Sequence, residues 1–491
     1  MSSPKHEVLR RIPAVEALLR DERLVLCAAG APRKVVLDCL RQAVDEARAT
    51  LQQAPPDGDP SQAAVYEAIV ARAEQAILAA GRPYYCRVIN ATGIILHTAL
   101  GRAALPRPAI RQIAEELAGY SRLQADPDSG RRSRRDVRIE QLLRQLTAVE
   151  AATVVNNNAA ATWLALNTLA VGKEVIVSRG QLVEIGGSFR LPEVMAASGA
   201  KMIEVGTTNK THARDYQRAI SEQTAAILRV HPSNYRITGF TSEVALEELA
   251  QMAHARGLLL IDDVGAGALV DLSRFGLDVG PTLAGSLGGG ADLVLASTDK
   301  LIGAAQGGLI LGKAELVEAV RSNPLARLVR VGKLTLAALE ATLALFLDQE
   351  RALTEVPTLR MVGRSLAQLA EQAERIAVAI RQSAAGGEGP PAGVALVEGV
   401  SQMGGGSLPG QDLPTRLVAV RPAGFGPDEL AARLRRHRPP VFTRISQDQV
   451  LIDPRTLLEG EEQPLVEAVV EELGVRSQEP GARSQELEVR S

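Results

Sequence analysis

The chain has 491 residues, 46% of them hydrophobic, and a net charge of −2 from 55 basic and 57 acidic side chains. That is an ordinary globular composition with room for two or three domains, and it excludes the overall basic field of many nucleic-acid-binding proteins. Aromatic residues are only 3%, so RNA held on base-stacking platforms is not expected, and any nucleic acid would be held by shape and phosphate contacts.

The first residues, "MSSPKHEVLRRIPAVEALLRDERL", are charged and lack the apolar centre of a signal peptide. "IPAVEALLRDERL", "RKVVLDCLRQAVDEARATL" and "QAAVYEAIVARAEQAILAAG" carry apolar residues at three- and four-residue spacing, with the break "QQAPPDGDPSQ" between the last two. They predict a small helical N-terminal domain over residues 1–85. Cys27, Cys39 and Cys86 form no CxxC array, so neither a disulfide framework nor a zinc site is expected. A reducing, cytoplasmic setting fits them, and no apolar run reaches bilayer length.

Between 150 and 312 short β-branched runs alternate with amphipathic stretches: 153–155, 174–178, 201–205, 225–230, 258–262, 292–297 and 308–312. In "SEVALEELAQMAHARG", Ser242 reads as a helix N-cap and Gly257 as its close. The alternation predicts an α/β fold with a mainly parallel central sheet. Ligands of such sheets bind beyond the strands' carboxyl ends. We place this catalytic domain at 86–340, ending in a long helix, "PLARLVRVGKLTLAALEATLALFL". A C-terminal α/β domain is expected over 341–477, and the polar tail 478–491, which repeats "RSQE", reads as disordered.

Four elements along this chain carry chemistry. In "TVVNNNAAATWLALNTLA" a strand runs into Asn156, Asn157 and Asn158 and then a helix. A helix N-terminus offers free N–H groups and positive dipole, a seat for phosphate, although a plain asparagine turn and N-cap is the better reading of these residues taken alone. In "LLLIDDVGAGA" an acidic pair closes a strand; a carboxylate there can keep a pyridine nitrogen protonated, or can simply cap a loop. Lys300 closes the next strand, in "DLVLASTDKLIGAAQGG". Parallel strands bring Asp263 and Lys300 to one rim, where a desolvated lysine becomes nucleophilic. Phosphate seat, acid and lysine, in that order, point to pyridoxal phosphate. Fourth, "SNPLARLVRVGK" puts Arg327 and Arg330 three apart on one predicted helix face, a pair suited to an oxyanion, although spacing alone favours two solvated arginines. Arg102 in "LHTALGRA" and the run "SGRRSRR" (129–135) are open in the same way.

The blocks "RVINATGIILHTALGRA", "VSRGQLVEIGGSFRLPEVMAASGAKMIEVGTTNKTHARDYQRAI", "STDKLIGAAQGG" and "NPLARLVRVGKLTLAALE" are long, gapless and specific. With them the chain closely resembles the bacterial selenocysteine synthase family, L-seryl-tRNA(Sec) selenium transferase, over nearly its whole length except the tail. The resemblance implies a fold-type-I pyridoxal 5'-phosphate enzyme with Lys300 as the cofactor lysine. Asp263 would face the pyridine nitrogen, while Asp262 falls at a position that is apolar in the family. It implies conversion of seryl-tRNA(Sec) to selenocysteyl-tRNA(Sec) through an aminoacrylyl-tRNA. Selenophosphate would be the donor, held by Arg102, Arg327 and Arg330. Asp299, beside the lysine, would orient groups or handle protons. The helical N-terminal domain would grip the tRNA, and Thr207, Thr208 and Asp215 would lie between dimers of a ring-shaped homodecamer. Three positions depart from the family: Ala99 for asparagine, Thr298 for glycine and Ala266 for serine. A pyridoxal-phosphate lyase acting on a free small amino acid or amino sugar acid is the alternative, weakened by the presence of residues 1–85.

Overall fold

The computed structural model describes residues 11–53, 60–187, 189–385 and 393–474. The tail 478–491, expected to be disordered, lies outside the described residues. The chain divides into two compact units with the boundary after Arg87.

The first unit is helical. Its principal helices are α1 (Arg33–Gln53) and α2 (Gln62–Ala80), preceded by two short turns of helix, Val15–Leu18 and Glu22–Cys27. The three- and four-residue spacing buries Leu18, Leu24, Leu40, Ile69, Val70 and Ile77 in one core. Side chains fix the helix starts: Asp21 accepts from the amides of Arg23 and Leu24, and Ser61 from that of Ala64.

The second unit is built on a seven-stranded sheet. Its strands are β1 (Ala151–Val155), β2 (Glu174–Ser178), β3 (Lys201–Val205), β4 (Thr224–Val230), β5 (Leu259–Gly265), β6 (Leu293–Ser297) and β7 (Gly308–Gly312), in the order β1-β7-β6-β5-β4-β2-β3. The neighbours from β6 to β3 are parallel; β7 alone runs against both of its partners, β1 and β6. Successive side chains leave opposite faces. Leu293 and Leu295 therefore enter one core while Val294 and Ala296 enter the other. A sheet covered on both faces is why these strands read as continuous apolar runs.

A second, four-stranded sheet lies C-terminal to this one. It contains β8 (Gly393–Gly404), β9 (Ser407–Arg421), β10 (Arg444–Ser446) and β11 (Gln449–Ile452), in the order β8-β9-β11-β10. Helix α3 (Leu366–Ala385) packs Ala373, Ile376 and Ile380 against Val418, Val420 and Ile452 of this sheet.

Two helix predictions need correction. The long helix expected from 324 is broken: Pro324–Arg327 form a 3₁₀ turn and a separate helix runs Lys333–Leu345. The intervening backbone is pulled into tertiary bonds, with the Asn156 amide donating to the Val329 carbonyl and Arg330 bridging to Val155. Ser242 is not an N-cap. It pairs with Lys210 as an isolated bridge, and the helix begins at Leu246 after Ala245. Gly257 does close it, at φ +66°.

Candidate active site

The carboxyl ends of β4, β5 and β6 open into a cavity of about 450 Å³, a size suited to a cofactor. It is lined by Lys300, Asp263, Asp299, Arg102, Asn157, Asn158 and His231, among others. Strand geometry explains the convergence: Asp263 ends β5, His231 follows β4, and Lys300 lies three residues past β6.

Asp263 is 4% exposed. One carboxylate oxygen accepts from Asn158 Nδ2 at 2.7 Å and the Gly265 amide at 3.1 Å, the other from Thr162 Oγ1 at 2.9 Å. Burial pushes this carboxyl above the usual range, while those three donors and Lys300 pull it back. No cation pairs with it among the described residues. A buried carboxylate with neutral donors and no partner charge is costly, and a protonated pyridine nitrogen is the kind of partner that completes it. Asp262 points to the opposite face, bonded to Arg229 Nη1 at 3.0 Å and Ser286 Oγ at 2.6 Å. The acidic pair is thus split by the strand's alternation.

Lys300 is 5% exposed. Burial and then the Arg102 cation lower its pKa, against Asp299 and Asp263, which raise it. Its amine lies 3.5 Å from the Gly406 carbonyl. Arg102 sits at φ +63° after a glycine turn and donates to Asp299 Oδ2 at 2.7 Å. Asp299 is therefore held by an arginine rather than by its neighbour Lys300.

The asparagines separate into three roles. Asn157 caps the helix Asn158–Leu169, accepting from the Ala160 amide at 2.8 Å, and lines the cavity. Asn158 lines it too but spends its amide on Asp263. Asn156 is not among the lining residues; its backbone amide binds Val329. Free first-turn amides of such a helix can bind a phosphate.

Arg327 and Arg330 are not brought to Lys300 within one protomer. They line a separate cavity, also about 450 Å³, together with Arg134, Arg135 and Arg321. Neither Arg327 nor Arg330 makes a side-chain hydrogen bond or ion pair among the described residues. Arg135, the last of the "SGRRSRR" arginines, donates to the Val331 carbonyl at 2.7 Å and to Gln124 Oε1 at 2.8 Å. Burial and the nearby Arg330 pull its pKa down. Arg134 and Arg321 are answered by Glu140 and Asp136, which leaves Arg327 and Arg330, among the described residues, as the two guanidiniums free to take an anion brought from outside.

Sequence reasoning missed Thr162, His231 and the Gly406 carbonyl. Thr162 was within reach, since it lies one helical turn after Asn158 and on the same face. His231 could have been read, like Asp263, as a polar residue closing a strand. Burial and then Arg229 push its pKa below the ordinary value, favouring the neutral imidazole. Among the described residues no cluster of metal ligands occurs, and no helix is long and apolar enough to cross a membrane.

A seven-stranded sheet with one reversed strand, a lysine past one strand and a buried aspartate ending the next define a fold-type-I pyridoxal-phosphate-dependent enzyme. The chain belongs to the L-seryl-tRNA selenium transferase family, which it matches over residues 88–458, with the family's selenocysteine synthase N-terminal region matched over 9–48. It is 44% identical to the L-seryl-tRNA(Sec) selenium transferase of Nitratidesulfovibrio vulgaris, across 96% of this chain and 100% of that one. The enzymes of the same description from Solidesulfovibrio magneticus and Moorella thermoacetica are 46% and 45% identical, across 92% and 95% of this chain and 96% and 97% of theirs. Among solved structures it is similar in fold to a D-glucosaminate-6-phosphate ammonia-lyase. That likeness has a TM-score of 0.54 at 21% identity, over 79% of this chain and 96% of the other.

Proposed function

We propose that this chain converts L-seryl-tRNA(Sec) to L-selenocysteyl-tRNA(Sec), with Lys300 as the cofactor lysine and selenophosphate as the donor. The observation that carries the reading is the shared cavity of Lys300 and the cation-free, buried Asp263 in a chain of this family. When bound, pyridoxal phosphate supplies an electron sink beside the seryl α-carbon.

The chain's own groups do the rest. Lys300, its neutral form favoured by burial and by Arg102, holds the cofactor through its amine. With that amine free, Lys300 would be the base for the seryl α-proton. Asp263 keeps the proton on the ring nitrogen, and Asn158 and Thr162 hold Asp263 in place. The first-turn amides after Asn157 take the cofactor phosphate. Asp299, anchored by Arg102, orients groups at the reacting carbon. Arg102, Arg327 and Arg330 together bind the donor's phosphoryl group. Because Arg327 and Arg330 stand in a different cavity from Lys300, this reading requires that one protomer's pair serve its partner's lysine.

We further propose that the first unit grips the tRNA. The chain would assemble into a ring-shaped homodecamer through Thr207, Thr208 and Asp215, which follow the edge strand β3, and act in the cytoplasm. The test is formation of selenocysteyl-tRNA from seryl-tRNA(Sec) and selenophosphate by the purified chain. Mixing an inactive Lys300→Ala chain with an inactive Arg327→Ala, Arg330→Ala chain should restore activity in hybrids. Hybrids as dead as their parents would place all the groups in one protomer and overturn the shared site.

A further inference from the structure

The second sheet reaches the first through one hairpin. Only residues 418–420 of β9 pair with β11, so the far half of the β8–β9 hairpin projects beyond its own sheet. That far half is core of the other sheet: Met403, Leu408 and Leu413 are buried with Ile95 and Leu96. Backbone bonds fasten it there. The Gln402 amide donates to Gly93 O at 2.9 Å, Ile95 to Gln402 O at 3.0 Å, and Leu96 to Met403 O at 2.7 Å.

The tip is three glycines, Gly404, Gly405 and Gly406, at φ +71°, +59° and +68°, a backbone that only glycine adopts without strain. There is also no room for side chains. A Cβ on Gly404 would stand 2.2 Å from Ile94 Cγ2, one on Gly405 2.6 Å from Leu96 O, and one on Gly406 2.5 Å from Ile185 Cδ1. Such close packing points the Gly406 carbonyl at Lys300 Nζ. Among the described residues the ammonium has no other acceptor, since Asp299 is taken by Arg102 and Asp263 by Asn158 and Thr162.

We propose that the Gly404–Gly406 tip is a positioning element for Lys300. The Gly406 carbonyl is the acceptor that holds the lysine ammonium whenever the amine is not joined to the cofactor. The proposal rests on Lys300 being the cofactor lysine, but the hydrogen bond itself exists without cofactor, so the two can fail separately. A carbonyl acceptor favours the charged amine. The other groups facing it are Arg102, which opposes the charge, Asp299 and Asp263, which favour it, and the cavity-lining His231.

The experiment is the pH dependence of Lys300 labelling by trinitrobenzenesulfonate in the cofactor-free full chain, read by mass spectrometry of the Lys300 peptide. Gly406→Ala must move the backbone to escape Ile185. The labelling midpoint should fall, giving roughly threefold or more faster labelling at a pH below it. Gly410→Ala lies in the same hairpin at φ +68° with nothing within 4 Å, so it carries the strain without the clash and should leave the midpoint unmoved. Should Gly406→Ala fail to fold, one glycine inserted between Gly405 and Gly406 displaces the carbonyl without adding a side chain, and should shift the midpoint in the same direction. A folded displaced-tip variant with the parent's midpoint would overturn the proposal. An equal shift in Gly410→Ala would do the same, because it would assign the effect to a loosened hairpin.

Discussion

The two large cavities of the second unit are similar in size and opposite in construction. Around Lys300 each charged group has hydrogen bonds within the protomer, Asp263 alone lacking a cation: Arg102 holds Asp299, three neutral donors hold Asp263, and a carbonyl receives the lysine. Around Arg327 and Arg330 no side chain among the described residues pairs with those two cations, and a third arginine stiffens the segment that carries them. A hydrogen-bonded site short of one cation suits a resident group held in one geometry. Two unpaired cations suit an anion that comes and goes.

The largest effect that could break this contrast is at Lys300. Lys300→Ala should cost about 10⁴-fold in turnover, and borohydride should no longer fix pyridoxal phosphate to the chain. An adduct elsewhere that retains activity would make another lysine the resident one. Next is removal of Met1–Arg87. All residues of the Lys300 cavity lie beyond it, so cofactor absorbance should persist while tRNA retention in a gel-shift assay is lost. Retained tRNA binding would refute the role given to the helical unit.

Arg327→Ala or Arg330→Ala should weaken use of the donor anion by about 10- to 100-fold, the size of one charge-assisted hydrogen bond, with the cofactor spectrum unchanged. Equal damage to cofactor binding would make the second cavity part of the first. The smallest effect is Thr162→Val, which deletes one of Asp263's three donors at a cost of about 1 kcal/mol. The folded carboxyl is already raised, so the folded chain binds more protons than the unfolded one between the ordinary value of 3.8 and the raised value. Stability of the cofactor-free chain therefore falls as pH rises through that window. Thr162→Val should extend the fall to higher pH, as followed by the melting temperature.

These contrasts were unequally legible in the amino-acid sequence. Lys300 and Asp263 could be read because a polar residue closing an apolar run has one place to go in a parallel sheet. Asp262 and Asp263 could also be parted by strand alternation. The break after Arg327 could not be read, because "LARLVRVGKLTLAALE" keeps apolar spacing throughout. The helix is interrupted by bonds from Asn156 and Val155, some 170 residues earlier. Asn158 looked like part of a phosphate seat and turned out to support the aspartate, a distinction set by side-chain direction rather than by motif. The Gly406 carbonyl had no local signal at all, being a backbone atom more than 100 residues from the lysine it meets.

The most direct test is the absorbance spectrum of the cofactor-loaded protein, recorded with seryl-tRNA(Sec), with seryl-tRNA(Ser) and with free small amino acids. The account predicts a cofactor band perturbed by seryl-tRNA(Sec) alone. A band indifferent to both tRNAs and shifted by a free amino acid would contradict it and assign the Lys300 cavity to a lyase.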